Sequence, residues 1–209
     1  MIKLYSRPFI LIVTLILIIA ISIKIHYEFS FEKVENWNYK QLQKINPQIN
    51  SFTFIVFGDN KNSTKVFNEL ISKVNNENAL FCIDNGDLVL WGREENYELF
   101  IKQIKKLNKP LLTVLGNHDI VMDGRSLYYE MFGPFYYSFH VGPAYFIVLD
   151  NANQESIDPW QMIWLFDDYN VTMIFSSHIH AYYNWNLGKN SLYNNGRSRS
   201  GTHRSRSST

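Results

Sequence analysis

The sequence predicts an α/β fold built on a parallel β-sheet. Three short apolar runs, typical of buried strands, occupy residues 52–57, 79–83 and 111–115. Between them lie two segments, residues 66–74 and 97–107, in which apolar residues recur at helical spacing. Strands that alternate with helices form parallel sheets with right-handed crossovers. Such sheets bind ligands beyond the carboxyl ends of their strands, and a polar turn with Gly-Asp or Gly-Asn follows each run.

The composition allows one domain and argues against a strongly charged partner. The chain has 209 residues, of which 46% are hydrophobic, and this is enough for one substantial core. Its formal net charge of +1 indicates neither a nucleic-acid partner nor a charged membrane surface. The single cysteine, Cys82, excludes a disulfide within the chain, and its apolar neighbours in the sequence predict a small buried side chain.

The N-terminus carries a long apolar run behind two positive charges. Residues 8–23 contain no charged side chain and follow Lys3 and Arg7. This pattern predicts a transmembrane anchor within residues 1–26, with the rest of the chain outside the cytoplasm. The alternative is a cleaved signal peptide, which would make the protein secreted, although residues 20–22 form only a poor cleavage site.

The rest of the chain divides into three parts by composition. Residues 27–51 are polar with scattered aromatics, which predicts a linker with at most one short helix. Residues 52–193 carry the α/β pattern, which continues with two antiparallel strands joined near Gly142, a helix start near residue 160 and a buried strand at 171–175. Residues 194–209 contain no apolar side chain and predict a disordered tail rich in Arg and Ser.

Polar side chains with metal-binding chemistry follow successive apolar strands. Parallel strands bring their carboxyl ends to one rim, so we expect these side chains to lie close together. The set consists of Asp59, Asp87, Asn117, His118, Asp119, His178 and His180. Carboxylate and imidazole groups together suit Mn²⁺, Zn²⁺ or Fe²⁺, and a pair of such ions suits the hydrolysis of phosphate esters. Each residue taken singly is also compatible with an ordinary turn or helix cap, so the prediction rests on their common position.

Four motifs, in this order, resemble those of the calcineurin-like metallophosphoesterases. They are "FGDN" from residue 57, "NGDLV" from 85, "LGNHD" from 115 and "SHIHAYY" from 177. The resemblance covers residues 52–188 and implies an αββα sandwich, in which helices flank a pair of sheets. Family members continue with further strands where this chain passes into its tail, so we expect the second sheet to be incomplete.

The resemblance also implies a role for each residue of the rim. It implies five metal ligands, with Asp59 and His180 on a first ion, Asn117 and His178 on a second, and Asp87 bridging both. It implies that His118 is the catalytic residue, which donates to the phosphoryl or leaving-group oxygen. The implied activity is metal-dependent hydrolysis of a phosphate mono- or diester by a metal-activated water.

Three positions depart from the family pattern. Lys61 stands where the family has a histidine ligand, and an ammonium is a poor ligand that repels a nearby cation. Leu90 stands where the family often has an aspartate that orients the catalytic histidine. No histidine lies between His140 and His178, where the family carries another ligand. We therefore expect weak binding of one cation instead of two and low activity. The alternative function is an inactive relative that acts as a binding module.

Overall fold

The computed structural model describes residues 7–29, 34–153, 171–176, 183–187 and 190–194. The chain divides into two compact units, Met1–Lys33 and Val34–Thr209. The first unit contains helix α1, Arg7–Phe29, which the apolar N-terminal run forms. Within the described residues, no helix has both the length and the apolar character needed to cross a membrane, and the structure does not support the predicted anchor.

The second unit contains the predicted parallel sheet. Strands β1, β2 and β3 are Phe54–Phe57, Phe81–Asp84 and Leu111–Thr113. They pair in the order β1-β2-β3, and both pairings are parallel. The connections between them contain helix α3, Thr64–Asn76, and helix α4, Glu94–Ile104. The predicted α/β fold with a parallel sheet is therefore confirmed.

Aromatic side chains pack against both faces of this sheet. On one face, Phe57 contacts Phe67 of α3, which stacks on Phe100 of α4 with ring centroids 5.9 Å apart. On the other face, Phe81 belongs to a buried cluster that includes Phe139. Because side chains alternate along a strand, the last residue of β2, Asp84, lies on the same face as Phe57.

An antiparallel hairpin follows the parallel sheet. A 3₁₀ turn, Val121–Asp123, leads into helix α5, Gly124–Phe132. Strands β4, Tyr137–Val141, and β5, Ala144–Val148, then pair in antiparallel fashion around Gly142, as predicted. Gly142 has a φ of +54°, and a Cβ there would lie 2.0 Å from the Ile49 carbonyl oxygen, so only glycine fits.

A third sheet includes two strands that the sequence did not predict. Strand β6, Met173–Ser176, confirms the strand predicted at residues 171–175. It pairs in parallel with β8, Asn190–Asn194, which pairs in antiparallel fashion with β7, Tyr183–Leu187. The strands β7 and β8 carry several asparagines and no apolar run, which is why the sequence pattern missed them. The helix predicted near residue 160 and the tail beyond Asn194 lie outside the described residues.

Residues 34–51, which the sequence assigned to the linker, belong to the packed unit. They contain helix α2, Trp37–Leu42, which packs on the edge strand β3. The indole of Trp37 donates to the Leu111 carbonyl at 2.8 Å. The buried amide of Asn38 accepts from the Thr113 N–H at 2.8 Å and donates to the Thr113 carbonyl at 3.2 Å. The Asn38 side chain thus makes the backbone hydrogen bonds that a neighbouring strand would make. A pattern of apolar residues could not reveal this contact.

Replacing Asn38 with Ala is expected to lower the free energy of unfolding by about 1 to 3 kcal/mol, because the buried Thr113 N–H loses its partner. The Thr113 carbonyl keeps two donors, the hydroxyls of Tyr128 and Tyr137. Urea denaturation measures this loss. Lys40→Ala, at an exposed position of the same helix, is the matched control and should change stability by less than about 0.5 kcal/mol. Equal stability of the two variants would contradict the packing of α2 on β3.

Candidate active site

The loops after β1 and β2 hold the candidate site in an unusual backbone conformation. Four of their residues are left-handed, with φ values of 58° at Asp59, 43° at Lys61, 58° at Asn62 and 57° at Asp87. This conformation costs a non-glycine residue on the order of 1 kcal/mol. Hydrogen bonds hold the loops together, since Asp59 N–H donates to the Gly86 carbonyl at 2.9 Å and Lys61 N–H to the Asp87 carbonyl at 3.0 Å. The fold therefore maintains a strained geometry where the site residues lie.

Lys61 lies between the two carboxylates that the sequence assigned to metal binding. Its Nζ is 2.9 Å from Asp87 Oδ2 and 3.7 Å from Asp59 Oδ1. The three side chains are buried, with 8% of Lys61, 2% of Asp87 and none of Asp59 exposed. Burial favours a higher pKa for Asp87, but the adjacent Lys61 ammonium and the hydrogen bond from the His118 amide outweigh it and lower this pKa. These three residues form one buried ion cluster.

The loop after β3 contacts Asp87 through its backbone. His118 N–H donates to Asp87 Oδ1 at 3.1 Å. Gly116 packs so closely that a Cβ there would lie 2.2 Å from the Asp87 nitrogen, which explains the glycine of this motif. The predicted convergence of Asp59, Asp87 and His118 at one rim is therefore observed, and Asn117 lies in the same loop.

A backbone carbonyl orients the imidazole of His118. Its Nδ1 lies 3.0 Å from the Leu90 carbonyl oxygen. A carbonyl oxygen only accepts hydrogen bonds, so Nδ1 carries the proton and Nε2 is the nitrogen left for other partners. The Leu90 N–H in turn donates to Asn62 Oδ1 at 2.9 Å, which fixes this carbonyl. The main chain of Leu90 thus supplies the orientation that its side chain cannot give.

Asp119 holds loops together. Its carboxylate accepts from the Val89 N–H at 3.0 Å and from the Gly116 N–H at 2.7 Å. The side chain is fully buried, and burial raises its pKa to about 7 despite these amide donors. The sequence placed Asp119 in the rim, and the structure gives its carboxylate a role in loop geometry.

Asp84 is a buried carboxyl that the sequence analysis did not single out. It ends β2 between Phe57 and Thr113 on the neighbouring strands. Among the described residues, neither of its oxygens has a partner in good hydrogen-bond geometry. Burial, followed by the negative charges of Asp119 and Asp59, raises its pKa well above the ordinary value. An aspartate ending a completely buried strand was the available signal.

The described residues do not fit the first of the two expected metal ions. Its carboxylates, Asp59 and Asp87, already contact the ammonium of Lys61, which would repel a divalent cation placed between them. Among the residues that the structure describes, no group of three or more His, Cys, Asp and Glu side chains is suited to hold a metal. At the second position the described donors are Asp87 and Asn117. The two predicted histidine ligands, His180 of the first position and His178 of the second, lie outside the described residues.

More than half of the chain matches one known protein family. The model of the calcineurin-like phosphoesterase family matches residues 52–160, just over half of the chain. The chain belongs to this family. The matched region contains Asp59, Lys61, Asp87, Asn117 and His118. A search of curated proteins found no match.

Solved structures resemble this calcineurin-like chain at low identity. An uncharacterized protein of Streptococcus pneumoniae TIGR4, described as a predicted phosphoesterase, has a TM-score of 0.47 and 16% identity over 69% of this chain and 72% of that chain. Vps29 from Chaetomium thermophilum has a TM-score of 0.46 and 13% identity over 69% and 71%. A purple acid phosphatase from yellow lupin (Lupinus luteus) seeds has a TM-score of 0.53 and 15% identity over 72% and 45%. This last likeness supports the fold alone.

Asp84→Asn is expected to stabilise the domain more strongly at higher pH. The pKa of Asp84 is raised in the folded chain, so its protonated folded form loses stability as pH rises above the ordinary carboxyl value. This loss amounts to at most about 1.4 kcal/mol per pH unit until the folded pKa is reached. Urea denaturation at pH 5 and at pH 8 should show the larger advantage of the variant at pH 8. Glu69→Gln removes an exposed carboxylate of α3 and should show no such trend; a pH-independent effect of Asp84→Asn would refute the explanation.

Proposed function

We propose that this chain hydrolyses a phosphate mono- or diester with one divalent cation instead of the two that its family resemblance implies. The observation that carries the proposal is the placement of His118. Its backbone donates to Asp87 and its ring is held by the Leu90 carbonyl, at a partly exposed position of the rim. A general acid must be both oriented and accessible to the substrate. His118 meets both conditions.

His118 is assigned the role of proton donor. With Nδ1 engaged by the Leu90 carbonyl, Nε2 of the protonated ring is the atom that donates to the leaving-group oxygen as its bond to phosphorus breaks. A positioned general acid of this kind contributes roughly 10²- to 10⁴-fold to the rate. The side chain of Asp87 helps to hold the loop in place through the His118 amide.

The cation is assigned to the second position, with Mn²⁺, Zn²⁺ or Fe²⁺ as its identity. Asp87 and Asn117 would supply oxygen ligands, and His178 is the expected nitrogen ligand. A cation held by these residues would polarise the phosphoryl group and lower the pKa of a water molecule. Three protein ligands are enough for a catalytic metal that keeps a position for water.

Phosphate-ester binding without turnover is the second candidate function. The observation that favours it is the position of Lys61, whose ammonium contacts both family carboxylates. An ammonium supplies charge and hydrogen bonds, but it cannot coordinate a water. A chain without a metal at either position would bind the ester and release it unchanged.

Turnover of a generic aryl phosphodiester by the full chain with added Mn²⁺ separates the two functions. His118→Ala should lower the rate by roughly 10²- to 10⁴-fold, because the proton donor is lost. Its Mn²⁺ content should stay unchanged, because His118 is not a predicted ligand. Metal analysis of the dialysed protein measures this content.

His140→Ala is the matched control, since His140 lies exposed on β4. This variant should keep the wild-type rate. Wild-type protein that shows no turnover above the metal-only background would favour the binding function. Loss of Mn²⁺ from His118→Ala would overturn the role assigned to this residue.

The cellular location stays a prediction. It rests on the apolar run after Lys3 and Arg7, which is typical of a chain exported either with an anchor or with a cleaved signal. Fractionation of cells that produce the full chain tests it, and recovery of the domain in the cytoplasmic fraction would contradict both forms of export.

A further inference from the structure

We propose that the ammonium of Lys61 is a built-in counter-cation that takes the place of the first metal ion. The domain then folds around a complete ion cluster without any metal at this position. The proposal concerns the assembly and stability of the site, so it holds whether the chain hydrolyses its ester or only binds it. It rests on the geometry of the loops after β1 and β2.

The position of Lys61 matches what a bridging cation would do. One nitrogen atom lies 2.9 Å from Asp87 Oδ2 and 3.7 Å from Asp59 Oδ1. These carboxylates come from the ends of two different strands, and the ammonium joins them. Only 8% of the lysine side chain is exposed, so solvent does little to stabilise the charges of the ammonium and of the two carboxylates.

The loop that carries Lys61 is fixed on both sides of this residue. Before it, Asn60 Nδ2 donates to the Leu88 carbonyl at 3.1 Å. After it, Asn62 Nδ2 donates to the Asn96 carbonyl at 2.8 Å and Asn62 Oδ1 accepts from the Leu90 N–H at 2.9 Å. The Lys61 N–H itself donates to the Asp87 carbonyl. These contacts distinguish Lys61 from a surface lysine, because the backbone directs its side chain into the site.

The surrounding carboxyls explain why a cation is needed at this point. Four aspartate side chains of this region are buried, namely Asp59, Asp84, Asp87 and Asp119. Asp119 has backbone amide donors, and burial favours the neutral form of Asp84. Asp59 and Asp87 are the pair that faces Lys61. Removing the ammonium would leave two buried carboxylates side by side, and this arrangement favours uptake of a proton or of another cation.

Two substitutions of Lys61 test the proposal in the full chain. Lys61→Met keeps a long side chain and removes the charge, so it should lower the melting temperature in EDTA on the order of 10 °C. The control Lys65→Ala removes an exposed lysine four residues away and should change it by no more than about 2 °C. Lys61→His provides the imidazole that the family has at this position, so it should bind one more Mn²⁺ per chain than the wild type. Equilibrium dialysis followed by metal analysis counts the bound ions.

The difference in Mn²⁺ count between Lys61→His and the wild type decides the matter. If the second position binds no metal, Lys61→His should bind one Mn²⁺ per chain and the wild type none. The expected difference is therefore the same even if the chain proves not to be a one-cation hydrolase. A rise in the melting temperature of Lys61→His with Mn²⁺ concentration, beyond any rise of the wild type, supports the proposal. Equal Mn²⁺ counts for Lys61→His and the wild type would overturn the proposal. Equal melting temperatures for Lys61→Met and Lys65→Ala would overturn it as well. If Lys61→Met does not fold, the Lys61→His count alone decides.

Discussion

The buried ion cluster of Lys61, Asp59 and Asp87 is the interaction on which the rest of the site depends. Two carboxylates at the ends of adjacent strands repel each other, and their burial costs several kcal/mol unless a cation and hydrogen bonds compensate. The ammonium at 2.9 and 3.7 Å provides this compensation, and it belongs to a loop whose left-handed backbone directs Lys61 toward both carboxylates. The His118 amide then completes the environment of Asp87 and connects β3 to the same centre.

An ammonium and a divalent metal ion share a positive charge, but they differ in chemistry. The ammonium gives hydrogen bonds and one unit of charge, whereas a metal ion also coordinates water and lowers its pKa. In our proposal the chain keeps a positive charge at the first position of the calcineurin-like rim but has no Lewis acid there. Any hydrolysis then depends on the second position and on His118. The contact of His118 with the Leu90 carbonyl shows how a backbone group can supply orientation at a position without the family's acidic side chain.

The sequence predicted the features that depend on periodicity and on strand ends, and it missed those that depend on side-chain amides. Apolar runs were enough to predict β1 to β3. Because these strands were expected to run in parallel, the sequence also placed Asp59, Asp87 and His118 at one rim. The role of α2 was missed because the amide of Asn38 pairs with β3 in a polar stretch. Strands β7 and β8 were missed because asparagines interrupt their apolar residues. Lys61 was recognised as a departure from the family. The direction of its side chain, toward Asp59 and Asp87, follows from left-handed backbone geometry that no residue pattern specifies.

In our proposal an ammonium, and not a metal ion, lies between Asp59 and Asp87. Anomalous X-ray diffraction from crystals of the wild-type chain soaked in Mn²⁺ tests it most directly, because Mn²⁺ scatters anomalously and nitrogen does not. We expect no anomalous peak between these carboxylates and continuous density for the Lys61 side chain at that place. A peak within bonding distance of both carboxylates, with Lys61 turned away, would contradict it.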